Sequence, residues 1–342
     1  MLELAFIREH ADEVRQAMRD LNASAPIDEI LSLDEQRRSM LSEIEALRAR
    51  RNTVSKEVPK IADKAEKQKA IEEMRQVGDR IKALEADLAP VQERLDRALL
   101  EVPNMPDPSV PVGPDESHNV VVRQAKVLPT FDFEPLPHWD LGEALGILDF
   151  ERGVKISGTR FYLLKGAGAR LQRALIAWML DVHTQYHGYT EIYPPYMVRR
   201  ECLYGTGNLP KFAENLYYDT EDDLWLVPTA EVPVTNMYRE EILPEERLPI
   251  YHVAYTACFR REKMSAGKDT RGIKRGHQFD KVEMVKFVTP ESSMDELMKL
   301  LDNAEDICRR LELPHRVVQM CTGDLSFTAA AKYDVEIWAA GC

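Results

Sequence analysis

The stretch from residue 259 to 287 carries side chains whose types and spacing could bind a nucleotide. Arg260 offers a planar, permanently charged group that fits a phosphate, and Phe279 offers a ring on which a base can stack. The carboxylates of Glu262 and Glu283 can accept hydrogen bonds from an amine or an ammonium group. The stretch holds nine Lys or Arg against four Asp or Glu, in a chain of net charge −13. A solvated hairpin with ordinary cross-strand ion pairs also fits these residues.

Two strands joined by a loop are the elements that would position these side chains. The segments YHVAYTACF and HQFDKVEMVKF are rich in aromatic and β-branched residues, and the loop between them is polar, basic and punctuated by glycines. Side chains at i and i+2 of a strand share a face, so we predict Arg260 beside Glu262 on the first strand. The same rule places Phe279 in line with Glu283 on the second strand. Arg275 would stand at the exit of the loop.

Four motifs along the chain identify a resemblance. FRRE followed by RGIKRGHQFDKVE resembles the second signature motif of class II aminoacyl-tRNA synthetases, specifically of the seryl-tRNA synthetases. GYTEIYPPYMV (188–198) is similar to the first motif of that family, and VPTAEVPVTN (227–236) to its serine-binding segment. With GTGNLPKF (205–212), the resemblance covers nearly the whole chain. It implies an α+β protein: a two-helix coiled-coil arm, and a catalytic domain whose mixed, mainly antiparallel sheet is flanked by helices.

The resemblance also implies a reaction and roles for individual residues. The reaction is ATP-dependent activation of L-serine to seryl-adenylate, followed by transfer to tRNA(Ser). Arg260 would hold the α-phosphate, Arg275 the outer phosphates, Phe279 the base and Glu262 the adenine side of ATP, and Mg²⁺ would accompany ATP with no metal site built by the protein. The residues implied for ATP are Arg260, Arg261, Glu262, Arg275 and Phe279, with Arg260 and Arg275 as the catalytic ones. The residues implied for serine are Thr229, Ala230, Glu231 and Glu283.

A helical arm is predicted near the N-terminus. Apolar residues repeat in steps of three and four from 30 to 58 and again from 70 to 102, with a break that begins at Pro59. This predicts an antiparallel coiled-coil hairpin of about 45 Å. Residues 48–82 hold eleven Lys or Arg against six Asp or Glu. A purely structural coiled coil also fits, whereas the resemblance implies that the arm grips tRNA(Ser). The basic residues predicted to contact RNA are Arg48, Arg50, Arg51, Lys56, Lys60, Lys64 and Arg75.

The domain boundaries follow from composition. We predict an N-terminal domain over residues 1–102, with the arm from about 27, a Pro-rich linker over 103–119, and a catalytic domain over 120–342. The first residues, LELAFI, suggest a short strand. His183 and His187 lie four residues apart on a predicted helix, where packing is favoured over a metal site because no third ligand accompanies them.

The composition and the remaining motifs bound the location and the partners. The pI of about 5.2 argues against a general nucleic-acid binder, so RNA contacts must come from local basic patches. The N-terminus is acidic and no long apolar run is present, which favours a cytoplasmic protein without membrane contact. The first motif builds the dimer interface in the resembling family, so we expect a homodimer.

Three functions remain open at this point. They are a seryl-tRNA synthetase, a catalytically inactive RNA-binding scaffold, and a ligase that charges a carrier protein with an amino acid. The basic arm counts against the carrier ligase, and the presence of Thr229, Glu231, Arg260 and Glu283 counts against the scaffold. The sequence ends at YDVEIWAAGC, before the family's third motif. We therefore expect an unpaired sheet edge, an open ATP site and little or no adenylation by the 342-residue chain.

Overall fold

The structure is a computed structural model, and it describes residues 2–263 and 271–341. It divides into two compact units. The first comprises Met1–His118 with Cys321–Ala331, and the second comprises Asn119–Met320 with Lys332–Cys342. In the described part of the chain, no helix is long and apolar enough to cross a membrane.

Four helices build the first unit: α1 (Leu4–Glu9), α2 (Ala11–Asp20), α3 (Ile27–Glu57) and α4 (Lys64–Leu99). The predicted N-terminal strand is wrong, because LAFIRE forms α1. A short apolar run does not distinguish a strand from a helix, and here packing decides. In the helix, Ile7 is fully buried in one cluster with Val14, Ile30 and Leu95.

The helices α3 and α4 form the predicted antiparallel hairpin. They are joined by a 3₁₀ turn at Val58–Lys60, so the predicted break at Pro59 is confirmed. Asp63 caps α4 because its carboxylate accepts hydrogen bonds from the backbone of the first turn. The buried seam of the outer arm consists of Ile44, Val77, Ile81 and Leu84. Helix–helix burial of this seam is what stabilises the arm.

The Pro-rich segment pairs with a distant part of the chain. Its five prolines have no amide hydrogen to donate, but other residues of the segment do donate backbone hydrogen bonds. The amides of Asn104 and Asp107 donate to the carbonyls of Phe327 and Ala330, at 3.0 and 2.8 Å. These long-range bonds bring Cys321–Ala331 into the first unit, whereas the sequence places that segment in the catalytic domain.

The second unit holds the sheets and the remaining helices. Its helices are α5 (His138–Ala144), α6 (Phe150–Ser157), α7 (Ala167–Tyr186), α8 (Arg200–Gly205), α9 (Glu231–Thr235) and α10 (Ser293–Arg310). Its strands are β1 (Val120–Ala125), β2 (Leu148–Asp149), β3 (Leu163–Leu164), β4 (Thr190–Ile192), β5 (Met197–Arg199), β6 (Leu224–Leu226), β7 (Ile250–Phe259), β8 (Gln278–Phe287), β9 (His315–Gln319) and β10 (Tyr333–Ile337).

The longest strands form the hairpin that the sequence predicts. β7 and β8 pair antiparallel over ten residues, from Ile250 opposite Phe287 to Phe259 opposite Gln278. β4 runs parallel to β7, and Pro194 follows it as the expected stop. A second sheet has the order β1-β9-β10 and is antiparallel throughout. The predicted α+β class with a mixed, mainly antiparallel sheet is therefore confirmed.

His183 of α7 and His187, which directly follows that helix, take part in packing. The Nδ1 atoms of His183 and His187 are 2.9 Å apart, and His187 Nε2 lies 3.1 Å from Asp306 Oδ2. Burial lowers the pKa of His183 to about 4, so this ring is neutral near pH 7. The result is a hydrogen-bonded chain that ties α7 to α10.

Candidate active site

The β8 strand presents three chemically different side chains on one face. Strand alternation puts Phe279, Lys281 and Glu283 in a row, an aromatic ring followed by a cation and a carboxylate. Pairing with β7 fixes the register, since Phe279 stands opposite Cys258 and Glu283 opposite Ala254. The predicted alignment of Phe279 with Glu283 is thus present.

The first strand is shorter than predicted. β7 ends at Phe259, and Glu262 has a left-handed backbone with φ of 51°. The prediction that Arg260 and Glu262 lie together on the strand is therefore wrong. The amide of Arg260 still donates to the carbonyl of His277 at 2.9 Å, which extends the pairing of the two segments one residue beyond the strands.

Contacts of Arg261 explain why the chain leaves the sheet. Its amide donates to the carbonyl of Asn215 at 2.9 Å, and its Nε donates to the carbonyl of Leu216 at 2.9 Å. The guanidinium lies 4.2 Å from the centroid of the Tyr217 ring. These contacts come from a segment more than forty residues earlier, and they draw the backbone away from β8. Arg261 was predicted to bind ATP. The contacts of its side chain and amide given above are with residues 215–217.

Arg260 nevertheless reaches the β8 face. Its Nε donates to the carbonyl of Pro228 at 3.0 Å, and its guanidinium lies 4.9 Å from the centroid of the Phe279 ring. This hydrogen bond holds the guanidinium group of Arg260 beside the ring of Phe279. The structure brings these two predicted site residues together.

Arg275 and Glu262 meet at the open end of the hairpin. Arg275 Nη1 lies 3.5 Å from Glu262 Oε2, and the Glu262 side chain is only 12 % exposed. The two predicted ATP residues are therefore partners of each other. The preceding loop residues 264–270, which include Gly267, lie outside the described part of the chain.

A compact polar group occupies the other end of the row. The hydroxyl of Thr229 donates to Glu283 Oε2 at 2.8 Å and accepts from the amide of Glu231 at 3.2 Å. Lys281 Nζ lies 2.5 Å from the same Oε2 atom. Ala230 is fully buried in a cluster with Ala254, so it anchors the start of α9 against the sheet. Three of the four residues predicted for serine thus bring polar groups together, and Ala230 supports them.

Electrostatics at this group favour a cation. Burial raises the pKa of Glu231, and the nearby carboxylate of Glu283 raises it further, while Lys281 and Arg260 act in the opposite direction. Glu231 is the first residue of α9 and is exposed to solvent, so a small ligand can reach it. Two carboxylates side by side are stabilised by an ammonium group placed between them.

Glu231→Gln is expected to raise the melting temperature at pH 7 by roughly 1–2 °C, a small shift because the Glu231 side chain is exposed to water. A raised pKa means that the folded protein holds the proton more tightly than the unfolded chain does. This group's contribution to stability therefore falls as pH rises from the ordinary glutamate pKa through the raised value. Thermal denaturation between pH 4 and 8 measures the effect. An unchanged or lower melting temperature at pH 7 would contradict the assignment.

The seven basic residues of the arm that are predicted to contact RNA fall into two groups. Arg48 and Arg50 form ion pairs across the hairpin, with Glu85 at 2.6 Å and with Glu73 at 3.6 Å. For the other five, the described residues show no ion pair or side-chain hydrogen bond. They are Arg51, Lys56, Lys60, Lys64 and Arg75.

Comparison with known proteins assigns the family. Residues 1–106 match the model of the seryl-tRNA synthetase N-terminal domain, and residues 213–342 match that of the tRNA synthetase class II core domain (G, H, P, S and T). A serine–tRNA ligase of Thermomicrobium roseum is 63% identical over 341 residues, which is all of this chain and 77% of that protein. The chain belongs to the seryl-tRNA synthetase family. It is thus a class II aminoacyl-tRNA synthetase by sequence.

Two further members of the seryl-tRNA synthetase family are similar over the whole chain. A serine–tRNA ligase of Roseiflexus sp. is 58% identical and is covered to 80% of its length. The solved structure of a seryl-tRNA synthetase from Pyrococcus horikoshii complexed with ATP has a TM-score of 0.92 and 37% identity, covering all of this chain and 81% of that one. The fold resemblance stated from the motifs is therefore confirmed.

One residue of the row was not predicted from the sequence. Lys281 lies midway between Phe279 and Glu283, and the i, i+2 rule that aligned its neighbours already placed it on their face. The contact between Lys281 and Glu283 is seen only in the structure. The carbonyl of Pro228, which holds Arg260, carries no sequence signal because every residue has a backbone oxygen.

Proposed function

We propose that this chain holds the serine, ATP and tRNA sites of an enzyme that activates L-serine with ATP and transfers the seryl group to tRNA(Ser). The observation that carries the proposal is the row of side chains on β8. At one end of the row Arg260 lies over Phe279, as suits a nucleotide, and at the other end Thr229 and Glu231 lie close to Glu283. A carboxylate oxygen of serine attacks the α-phosphorus, an O–P bond forms, and the bond to pyrophosphate breaks. A terminal ribose hydroxyl of the tRNA then attacks the seryl carbonyl, loses its proton and displaces AMP.

Serine recognition rests on the cluster formed by Thr229, Glu231 and Glu283. Glu231 and Glu283 take the ammonium, because two neighbouring carboxylates gain most from a cation. Thr229 and the remaining carboxylate oxygens meet the hydroxyl of serine. A site with such polar atoms rejects an analogue that lacks the hydroxyl, since its own groups would be left unpaired.

ATP recognition rests on the other end of the row. Adenine stacks on Phe279 and replaces the Arg260 guanidinium there, which frees that group for the α-phosphate while its Nε stays on the carbonyl of Pro228. Arg275 reaches the outer phosphates, and Glu262 meets the adenine side. Mg²⁺ would accompany ATP and would supply positive charge that offsets the charge of the phosphates. No side chain is needed as a nucleophile, because positioning and charge stabilisation suffice for this step.

The arm is proposed to hold tRNA(Ser) through the five residues, among the seven predicted to contact RNA, that show no ion pair within the described arm. Lys60 lies in the turn at Val58–Lys60, and Lys56 and Lys64 lie on either side of it. All three are exposed, so they can reach phosphates. Arg48 and Arg50 instead stabilise the pairing of the two helices, because their charges are already matched. Shape and backbone contacts dominate such binding to duplex RNA.

Replacing these three lysines together by glutamine is expected to reduce the salt dependence of tRNA(Ser) binding. The slope of log K against log salt should fall by about three, roughly one for each phosphate contact removed. Filter binding between 50 and 300 mM salt measures it. Arg94→Gln is the matched control, because Arg94 is paired with Glu29 at 2.7 Å near the base of the arm. An equal loss in the control would contradict the assignment.

We further infer a homodimer that works in the cytoplasm. The inference rests on the family membership and on the first motif, which contributes β4 and the Pro194 stop. Light scattering after gel filtration measures the mass directly. A mass of 39.2 kDa, that of one chain, would contradict the dimer.

Calorimetric titration with L-serine and with L-alanine tests the proposed function. Serine is expected to bind at least about 100-fold more tightly, because alanine leaves the hydroxyl partners of the site unpaired. Equal affinity for both amino acids, or no binding of serine by the folded chain, would contradict the proposal.

A further inference from the structure

Lys281 is the one side chain of the β8 row to which the proposed function gives no role. It lies between Phe279, where adenine stacks, and Glu283, where the ammonium of serine binds. Same-face neighbours on a strand are about 7 Å apart. Lys281 therefore stands at the level where the two reacting groups, the carboxylate of serine and the α-phosphate, must meet.

The charges around Lys281 are balanced only in the absence of substrate. Lys281 Nζ lies 2.5 Å from Glu283 Oε2, the oxygen that also accepts from Thr229. An ammonium ligand at Glu283 competes for this carboxylate and leaves the lysine charge without its partner. The same ligand, if it is an amino acid, brings a carboxylate within a few ångströms.

We propose that Lys281 exchanges its partner when serine binds, leaving Glu283 to the ammonium of the amino acid and binding the carboxylate of the amino acid beside the α-phosphate. The inference rests on the proposed function. Lysine suits this exchange because its ammonium is a compact charge on a flexible stem. Its side chain is 33 % exposed, so it has room to turn. Arg260 is less free, since its Nε is held by the carbonyl of Pro228.

A purely structural Lys281, which only neutralises Glu283, makes a different prediction. In that case its loss disturbs the ammonium site, and every ligand with an ammonium group is affected alike. Serinol separates the two roles, because it keeps the ammonium and the hydroxyl of serine but has no carboxylate.

The test compares L-serine with serinol by calorimetric titration of the full chain and of Lys281→Met. We expect serine binding to weaken at least tenfold in the variant, while serinol binding changes less than threefold. Lys281→Arg should recover part of the serine affinity because it restores a cation. Lys299→Met is the matched control, since Lys299 Nζ also lies 2.5 Å from a glutamate oxygen, that of Glu296 on α10. The Lys299→Met variant should bind serine as tightly as the unmodified chain.

Each other outcome overturns the inference in a recognisable way. An equal loss for serine and serinol assigns Lys281 to the structural role, and no loss for either removes it from the site. Failure of the unmodified chain to bind serine overturns the proposed function as well. Circular dichroism of the variants shows whether they are folded, and Lys281→Arg carries the comparison if Lys281→Met is not.

Discussion

Glu283→Gln is expected to weaken L-serine binding at least about 30-fold, the largest effect in the amino-acid half of the site. The substitution keeps the shape of the side chain but removes the charge that the ammonium of serine meets. It also leaves Lys281 without the carboxylate that lies 2.5 Å from its Nζ. Removing one partner of a desolvated, hydrogen-bonded charge pair costs about 2–5 kcal/mol, which corresponds to this loss. Calorimetric titration with serine measures it.

Glu336→Gln provides the matched control for this prediction. Glu336 lies on β10, pairs with Arg316 at 2.6 Å, and is 43% exposed. Exposed pairs of this kind contribute little, so serine binding should stay within about twofold of the unmodified chain. If Glu283→Gln bound serine as well as this control, the ammonium site would have to lie elsewhere.

Arg260→Ala is expected to weaken ATP binding at least about tenfold and to leave serine binding within about threefold. The loss follows from the guanidinium fork, which matches a phosphate with two parallel hydrogen bonds. The selectivity follows from position, because Arg260 stands over Phe279 at the nucleotide end of the row. Titration with ATP and with serine separates the two effects. Arg260→Lys should recover only part of the ATP affinity, since lysine supplies the charge without the fork.

An exposed arginine serves as the control. Arg309 lies on α10, pairs with Asp302 at 3.0 Å, and is 43 % exposed. Arg309→Ala should leave both ligands unaffected. A parallel loss of serine and ATP in Arg260→Ala would indicate collapse of the site rather than loss of a phosphate contact, and would contradict the assigned role.

Periodicity in the sequence predicted the elements that are determined by residues close together in the chain. The steps of three and four in α3 and α4 predict the hairpin because the buried apolar residues of each helix follow that repeat. The alternation in β8 predicts the shared face of Phe279 and Glu283 for the same reason. In both cases a local repeat carries the information.

Long-range contacts decided what the sequence could not predict. Arg260 and Glu262 leave the strand because Arg261 is held by Asn215 and Leu216, more than forty residues earlier. The entry of Cys321–Ala331 into the first unit likewise depends on hydrogen bonds to the Pro-rich segment. No spacing within either stretch signals a partner so far away.

Lys281 shows how a site residue can be missed although its position is known. The pattern that aligned Phe279 with Glu283 placed Lys281 between them, yet a lysine on a half-buried strand is most often an ordinary surface charge. Only the 2.5 Å contact with Glu283, and the junction at which it lies, give it a role to test.

The central claim is that one strand joins a serine pocket to a nucleotide site. A stable analogue of seryl-adenylate, with a sulfamate in place of the phosphate, tests this claim most directly. Calorimetric titration should show the analogue binding at least about 100-fold more tightly than L-serine or ATP alone, because one molecule engages both ends of the row. The gain should disappear in Glu283→Gln and in Arg260→Ala. An analogue that binds no more tightly than serine to the folded chain would contradict the account.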